Sequence, residues 1–266
     1  MKSIYFGGGA WSCAFFIGVI KALEEKYGKE LNKKFRFGGD SIGAYFALGL
    51  TLGYTSEEIK DIFYEFSSNA VNDGVFNFLK NSEYHELLLN KIIIDKNAYK
   101  IAEKNNLEVG ISRLFNDHDI YKKWENNEHL KKCIHASLHV PFYCKYQNKF
   151  DRKIAFDGGF FLKNEVLEKY DITVGRGEFY DISMTPTLCE ILFPPDKFKI
   201  EKFILDGYNK TLHIGNKNDR EAISNYFIYN FFIHYVVFME IIFNLFFSSF
   251  IKICSSLFGG FKIREL

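Results

Sequence analysis

Three short stretches of the chain carry residue types that can do nucleophilic chemistry. Ser41 stands in Gly39-Asp40-Ser41-Ile42-Gly43, just after the apolar Phe35–Phe37 segment and before a helical run. A G-x-S-x-G serine between a strand and a helix rides on a tight, strained turn; the flanking glycines remove Cβ atoms that would clash, and the hydroxyl is presented outward. The N-terminus of the following helix favours developing negative charge. Alone, the motif also fits a strand-to-helix turn with an idle serine. The second stretch is Gly7-Gly8-Gly9, where successive amides can face one anion. A dinucleotide fingerprint wants glycine where Ser12 stands, and a phosphate-binding Walker loop wants Gly-Lys-Ser/Thr, which is absent. With Ser41 in the neighbouring strand, Gly7, Gly8 and Gly9 read better as an oxyanion hole. The third is Asp157-Gly158-Gly159, after a short strand at Ile154–Phe156. Asp-Gly pairs also mark ordinary turns, so its weight comes from the other two.

A histidine base is poorly placed. In an α/β-hydrolase the chain order is serine, acid, histidine; only His213 and His234 follow Asp157, and His234 lies in an apolar tail. His139 precedes Asp157, and His85, His118, His129 and His135 fall in polar or helical stretches and read as structural. A Ser41–Asp157 dyad fits better than a triad.

These residues need a scaffold. Ile4–Phe6 reads as a buried strand, and Ala14, Phe15, Gly18, Val19, Ala22 and Leu23 recur on one helix face that closes near Gly28. Phe35–Phe37 is a second strand, Ala44–Leu52 a second helix ending at Gly53, and Thr55-Ser56-Glu57-Glu58 starts a third. Alternating strand and helix predicts a mainly parallel α/β sheet. Further along, helices are expected at Tyr84–Ile94, Glu128–Ser137 and Lys197–Tyr208. Strands are expected over Leu107–Leu114 and at Ile172–Val174.

Together the motifs resemble the patatin-like phospholipase family. The resemblance runs from Gly7-Gly8-Gly9 and Gly18-Val19-Ile20-Lys21-Ala22-Leu23 through Gly39–Gly43 to Asp157-Gly158-Gly159. Ala136–Tyr143, Ile172–Val174, and Leu192-Phe193-Pro194-Pro195 followed by Gly207-Tyr208 are similar to the adiponutrin and adipose triglyceride lipase branch. The resemblance implies a three-layer α/β/α sandwich and a calcium-independent lipid acyl hydrolase. In it Ser41 forms the acyl-enzyme, Asp157 takes the serine proton and then activates water, and Gly7, Gly8 and Gly9 hold the oxyanion. Ser12 departs from the family's usual glycine, and its side chain either narrows the oxyanion turn or joins it.

The rest of the composition sets the surroundings. The net charge of +1 offers no field for nucleic acid. Cys13, Cys133, Cys144, Cys189 and Cys254 are scattered without a C-x-x-C pair, so they read as reduced thiols, and neither metal nor cofactor is expected. The chain runs straight into Ile4-Tyr5-Phe6 without a signal-like segment, so it is expected on the cytosolic face of a membrane or lipid droplet. From Tyr226 to Phe258 only Glu240 and Lys252 are charged, in uncharged runs shorter than the ~18 residues of a spanning helix. Residues 1–215 are therefore expected to be the catalytic domain, and 216–266 a hydrophobic helical tail that meets a membrane or lipid droplet. A helix completing the core or a dimer interface is the alternative for the tail. Lys145, Lys149, Arg152 and Lys153 read as a solvated loop. Phospholipid or acylglycerol is the expected substrate; the competing function is a catalytically weak lipid-surface scaffold of the same fold.

Overall fold

The computed structural model describes residues 1–213 other than 75–79, 114–116, 142, 145–148 and 178. Contacts divide the chain into two units, Met1–Ile223 and Ser224–Leu266; every described residue belongs to the first. The expected tail, with His234 and Cys254, and the loop residue Lys145 lie outside the described residues.

The strands are β1 (Lys2–Phe6), β2 (Phe35–Asp40), β3 (Glu108–Ser112), β4 (His118–Tyr121), β5 (Lys149–Phe150), β6 (Lys153–Ile154), β7 (Ile172–Arg176) and β8 (Ile182–Met184). The helices are α1 (Ala14–Tyr27), α2 (Ile42–Leu52), α3 (Ser56–Asn72), α4 (Asn81–Ile92), α5 (Ala98–Lys104), α6 (Asn127–Ser137), α7 (Asn164–Leu167), α8 (Leu188–Leu192) and α9 (Lys197–Leu212). Six strands form one sheet in the order β4-β3-β2-β1-β7-β8, and β5-β6 is a separate hairpin. All pairs in the large sheet are parallel except β3–β4. With helices flanking the sheet, this is the expected three-layer α/β/α sandwich.

Local chemistry sets the boundaries. Gly53 closes α2 with φ of 95°, a conformation open to glycine. Thr55 and Glu58 form a reciprocal capping box at α3. Asp196, directly after Pro194-Pro195, caps α9 through the Lys199 amide at 2.8 Å.

The two sheet faces differ. Ile4, Phe6, Phe35, Phe37, Val109, Ile111 and Val174 belong to the main apolar core with α1, α2 and α6. On the opposite face the central strands carry Gly7, Gly38, Gly110 and Gly175, and polar rings fill the room. A Cβ on Gly38 would lie 2.2 Å from the Tyr170 hydroxyl, one on Gly7 2.0 Å from that of Tyr180, and one on Gly110 2.9 Å from that of Tyr5. Period-2 alternation thus separates a dry face from a tyrosine face.

The glycines of α1 and α9 serve a different contact. A Cβ on Gly18 would meet the Ile204 carbonyl at 1.8 Å, and one on Gly207 the Phe15 carbonyl at 2.0 Å. The two helices meet backbone to backbone.

Several elements were not foreseen. β4 and β8 are short edge strands, and α5, α7 and α8 are helices of seven residues or fewer, too brief for a periodic signal. The strand expected over Ile154–Phe156 is broken: β6 ends at Ile154, and Phe156 instead makes an isolated antiparallel bridge with Ser112.

Candidate active site

Ser41 occupies the turn between β2 and α2 with φ 51° and ψ −138°, a conformation rare for a residue with a side chain. Packing enforces it. A Cβ on Gly43 would lie 2.0 Å from the Phe6 carbonyl, and one on Gly39 2.6 Å from the Gly43 backbone. Both motif glycines therefore let strand, turn and helix close on one another. The Ser41 amide donates to Ser137 Oγ at 2.9 Å, and Ser137 Oγ donates to the Gly110 carbonyl at 2.6 Å.

Asp157 arrives from an irregular segment. Ser112 exchanges backbone bonds with Phe156 at 3.0 and 3.2 Å, the Asp157 amide donates to the His139 carbonyl at 2.7 Å, and the Gly158 amide to the Ser137 carbonyl at 3.0 Å. Ser112 Oγ donates to the Gly158 carbonyl and accepts from the Phe161 amide. Gly158 has no space for a side chain, since a Cβ there would meet the Gly110 carbonyl at 2.2 Å.

The two segments bring the Ser41 hydroxyl to the Asp157 carboxyl. Burial pushes Asp157 up to about 6; the Ser41 hydroxyl, the Gly159 amide and the positive charge of Arg176 act in the other direction. The Gly159 amide donates to Asp157 Oδ1 at 2.9 Å. Asp157 is thus a stronger base than an exposed carboxylate, yet ionised at neutral pH.

The glycine run is divided in its tasks. A Cβ on Gly8 would sit 3.4 Å from Ser41 Cβ and 3.7 Å from its Oγ, so Gly8 borders the Ser41 side chain. The Gly9 carbonyl accepts from the Ser12 hydroxyl at 2.5 Å, so that hydroxyl closes the 3-10 turn at Ala10–Cys13. The expectation that all three glycines supply amides to an oxyanion needs correction at Gly7. The β1–β7 ladder continues one residue past Phe6, and the Gly7 amide is bonded to the Val174 carbonyl at 2.7 Å.

Sequence reasoning missed Ser112 and Ser137 as residues that join the two segments. Both are fully buried, and the only signal was two serines at the ends of an apolar strand and a helix. His139 contributes its backbone carbonyl; its ring is buried and lowered by burial to about 4, hence neutral at pH 7. His213 is exposed at the end of α9. Cys13, Cys133 and Cys144 are buried, and Cys189 is exposed.

An elbow serine, a buried carboxylate and a glycine turn, set on a mainly parallel sheet, make an arrangement suited to serine acyl transfer. The family described as patatin-like phospholipase matches residues 4–168, and the chain belongs to that family. Among curated proteins none matches the chain. Among solved structures it is similar to a chain of the heterodimeric ExoU–SpcU complex from the type III secretion system of Pseudomonas aeruginosa. That similarity has a TM-score of 0.42 and 12% identity, and covers 79% of this chain and 50% of that one.

Proposed function

We propose that the chain hydrolyses carboxylic esters of lipids through a Ser41–Asp157 dyad. The observation that carries this reading is the strained Ser41 turn, which sets its hydroxyl against the buried Asp157 carboxyl beside Gly8. Ser41 Oγ attacks the acyl carbonyl while its proton passes to Asp157. The tetrahedral oxyanion is held by the amides of Gly8 and Gly9, and the α2 N-terminus adds a favourable field. Collapse breaks the ester bond, and the leaving alcohol takes the proton from Asp157. Water then attacks the acyl-enzyme while Asp157 accepts its proton; Asp157 returns that proton to Ser41 Oγ as the acyl–serine bond breaks and the fatty acid is released.

The substrate is presented at a lipid surface, membrane or droplet. Support comes from apolar side chains near the glycine turn: Leu188, Phe193 and Phe198 are 69%, 53% and 79% exposed. The segment before α9 is tied to that turn, because Trp11 Nε1 donates to the Tyr143 hydroxyl, which donates to the Leu192 carbonyl. Among the described residues no helix is long and apolar enough to cross a membrane. The likeness to the adiponutrin and adipose triglyceride lipase branch rests on sequence stretches, two of which lie beyond the family match. Phospholipid and neutral acylglycerol are therefore both carried as substrates.

A fluorophosphonate probe tests the reading. Wild type labels and Ser41→Ala does not. Absence of labelling in wild type, or equal labelling of both, would return the chain to a lipid-surface scaffold.

A further inference from the structure

Asp40, inside the serine motif, is the most deeply buried acid of the site: it is 0% exposed. Alternation along β2 puts it on the tyrosine face, opposite Phe37 and Gly39. Its Oδ2 accepts from the Tyr5 hydroxyl at 3.0 Å, whereas its Oδ1 has no hydrogen-bond partner among the described residues. That unpartnered oxygen faces the reacting groups. It lies 3.4 Å from where a Cβ on Gly159 would sit, and Asp157 Oδ1 lies 3.3 Å from the same point. It is also 3.8 Å from the Cβ position of Gly8, the glycine that borders Ser41 Oγ.

We propose that Asp40 is a positioning residue that serves the reaction as a neutral carboxylic acid and arrests it when ionised, by adding a second negative charge beside Asp157 and claiming the Gly8 amide. The proposal rests on the dyad reading above. Two buried carboxylates that both approach Gly159 cannot both ionise cheaply, so the pair loses its protons in two steps. Asp157 has the richer set of partners in Ser41, Gly159 and Arg176 and ionises first. Burial and then the Asp157 charge hold Asp40 well above the ordinary carboxylate range, while Tyr5 and the Gly8 amide favour its ionised form. The same Gly8 amide is a donor to the developing oxyanion. Neutral Asp40 attracts it weakly and yields it to the transition state; ionised Asp40 competes for it strongly and repels the new charge.

The other groups on this side do not supply the missing charge balance. Tyr5 packs edge-on against Tyr170 at 4.9 Å, and the Tyr170 hydroxyl donates to Glu108, which is paired with Lys122 and Arg36. His118 of β4 approaches Gly110, and burial lowers it to about 4, so it is neutral.

The test is the pH dependence of the absolute kcat/KM on a soluble short-chain p-nitrophenyl ester. Wild type gives a bell. Asp40→Asn retains the acid limb and loses the alkaline limb, and Tyr5→Phe moves the alkaline limb up by about one pH unit, because it removes a donor to the ionised form. An alkaline limb that survives in Asp40→Asn, or a uniform loss at every pH, overturns the proposal. Carbon-13 NMR of aspartate-labelled protein provides a readout without turnover. Asp40 titrates after Asp157 in wild type and at lower pH in Asp157→Asn; an Asp40 signal already ionised at neutral pH overturns the proposal as well. Failure of the dyad reading shows differently, as turnover or labelling that persists in Ser41→Ala.

Discussion

Ser41 and Asp157 arrive at the same small space by opposite routes. Ser41 is held by its immediate chain neighbours: β2 before it, α2 after it, and two glycines that let these elements close. Asp157 has no regular element of its own. Its segment is suspended from residues distant in the chain, from Ser112 at the end of β3, from Ser137 at the end of α6 and from His139 just beyond it. Local geometry is bought once by strain in a single residue; remote geometry is distributed over several hydrogen bonds. Damage to the first should be abrupt, and damage to the second graded.

The largest effect is expected at the elbow. Ser41→Ala loses about 10⁴-fold or more in kcat, whereas Ser41→Gly is equally inactive but resists urea better by about 1 kcal/mol, because glycine accepts the positive φ. Equal stability of the two variants in urea titrations would contradict strain at this turn.

Next comes Asp157→Asn, with a loss of about a thousandfold. Wild-type activity should fall as pH drops through about 6, where Asp157 takes up a proton. The effect on stability has the opposite sense. Because the folded-state value lies above the ordinary 3.8, the stability from this group is complete below that value and is lost as pH rises to about 6. Asp157→Asn should then melt higher than wild type at pH 7, by an amount on the order of 2–3 kcal/mol. A lower melting temperature in calorimetry would show the carboxylate to be structurally required.

Ser137→Ala sharpens the comparison, because Ser137 Oγ serves the elbow and its carbonyl serves the aspartate segment. The variant leaves the Ser41 amide and the Gly110 carbonyl without this partner. It should cost about 1–3 kcal/mol in stability and roughly tenfold in kcat, with KM little changed. An unaltered kcat would mean that the two segments are held independently.

The smallest effect belongs to histidine. His139→Asn keeps the backbone bond to Asp157 and should retain activity within about threefold, since no step uses the ring. A loss near that of Asp157→Asn, with wild-type stability, would restore a triad.

Legibility in the sequence follows the same division. The elbow, the glycine run and the first three helices could be read because each depends on neighbours a few residues away: Gly53 and the Thr55–Glu58 box are local signals. Asp157 was legible only as a residue type beside two glycines. Its supports, Ser112 and Ser137, lie 45 and 20 positions earlier, and nothing local to them announces a partner. The Gly7 amide was misassigned for a related reason: whether a ladder stops at Phe6 or runs on to Gly7 depends on Val174, far along the chain. The tyrosine face was present in the pattern Gly38, Gly110, Gly175, but a glycine does not say which ring will cover it.

The backbone contact between α1 and α9 has a consequence for synthesis on the ribosome. Both neighbours that complete the N-terminal strand and helix, β7 beside β1 and α9 against α1, emerge much later than they do; the side chains of Ser3 and Asp171, which fasten β1 to the start of β7, are 168 residues apart. At ordinary rates of translation that is a delay of about ten seconds or more. During it Phe15, Val19 and the open edge of β1 have no permanent cover, so nascent chains that stop short of α9 should be the ones that bind chaperones.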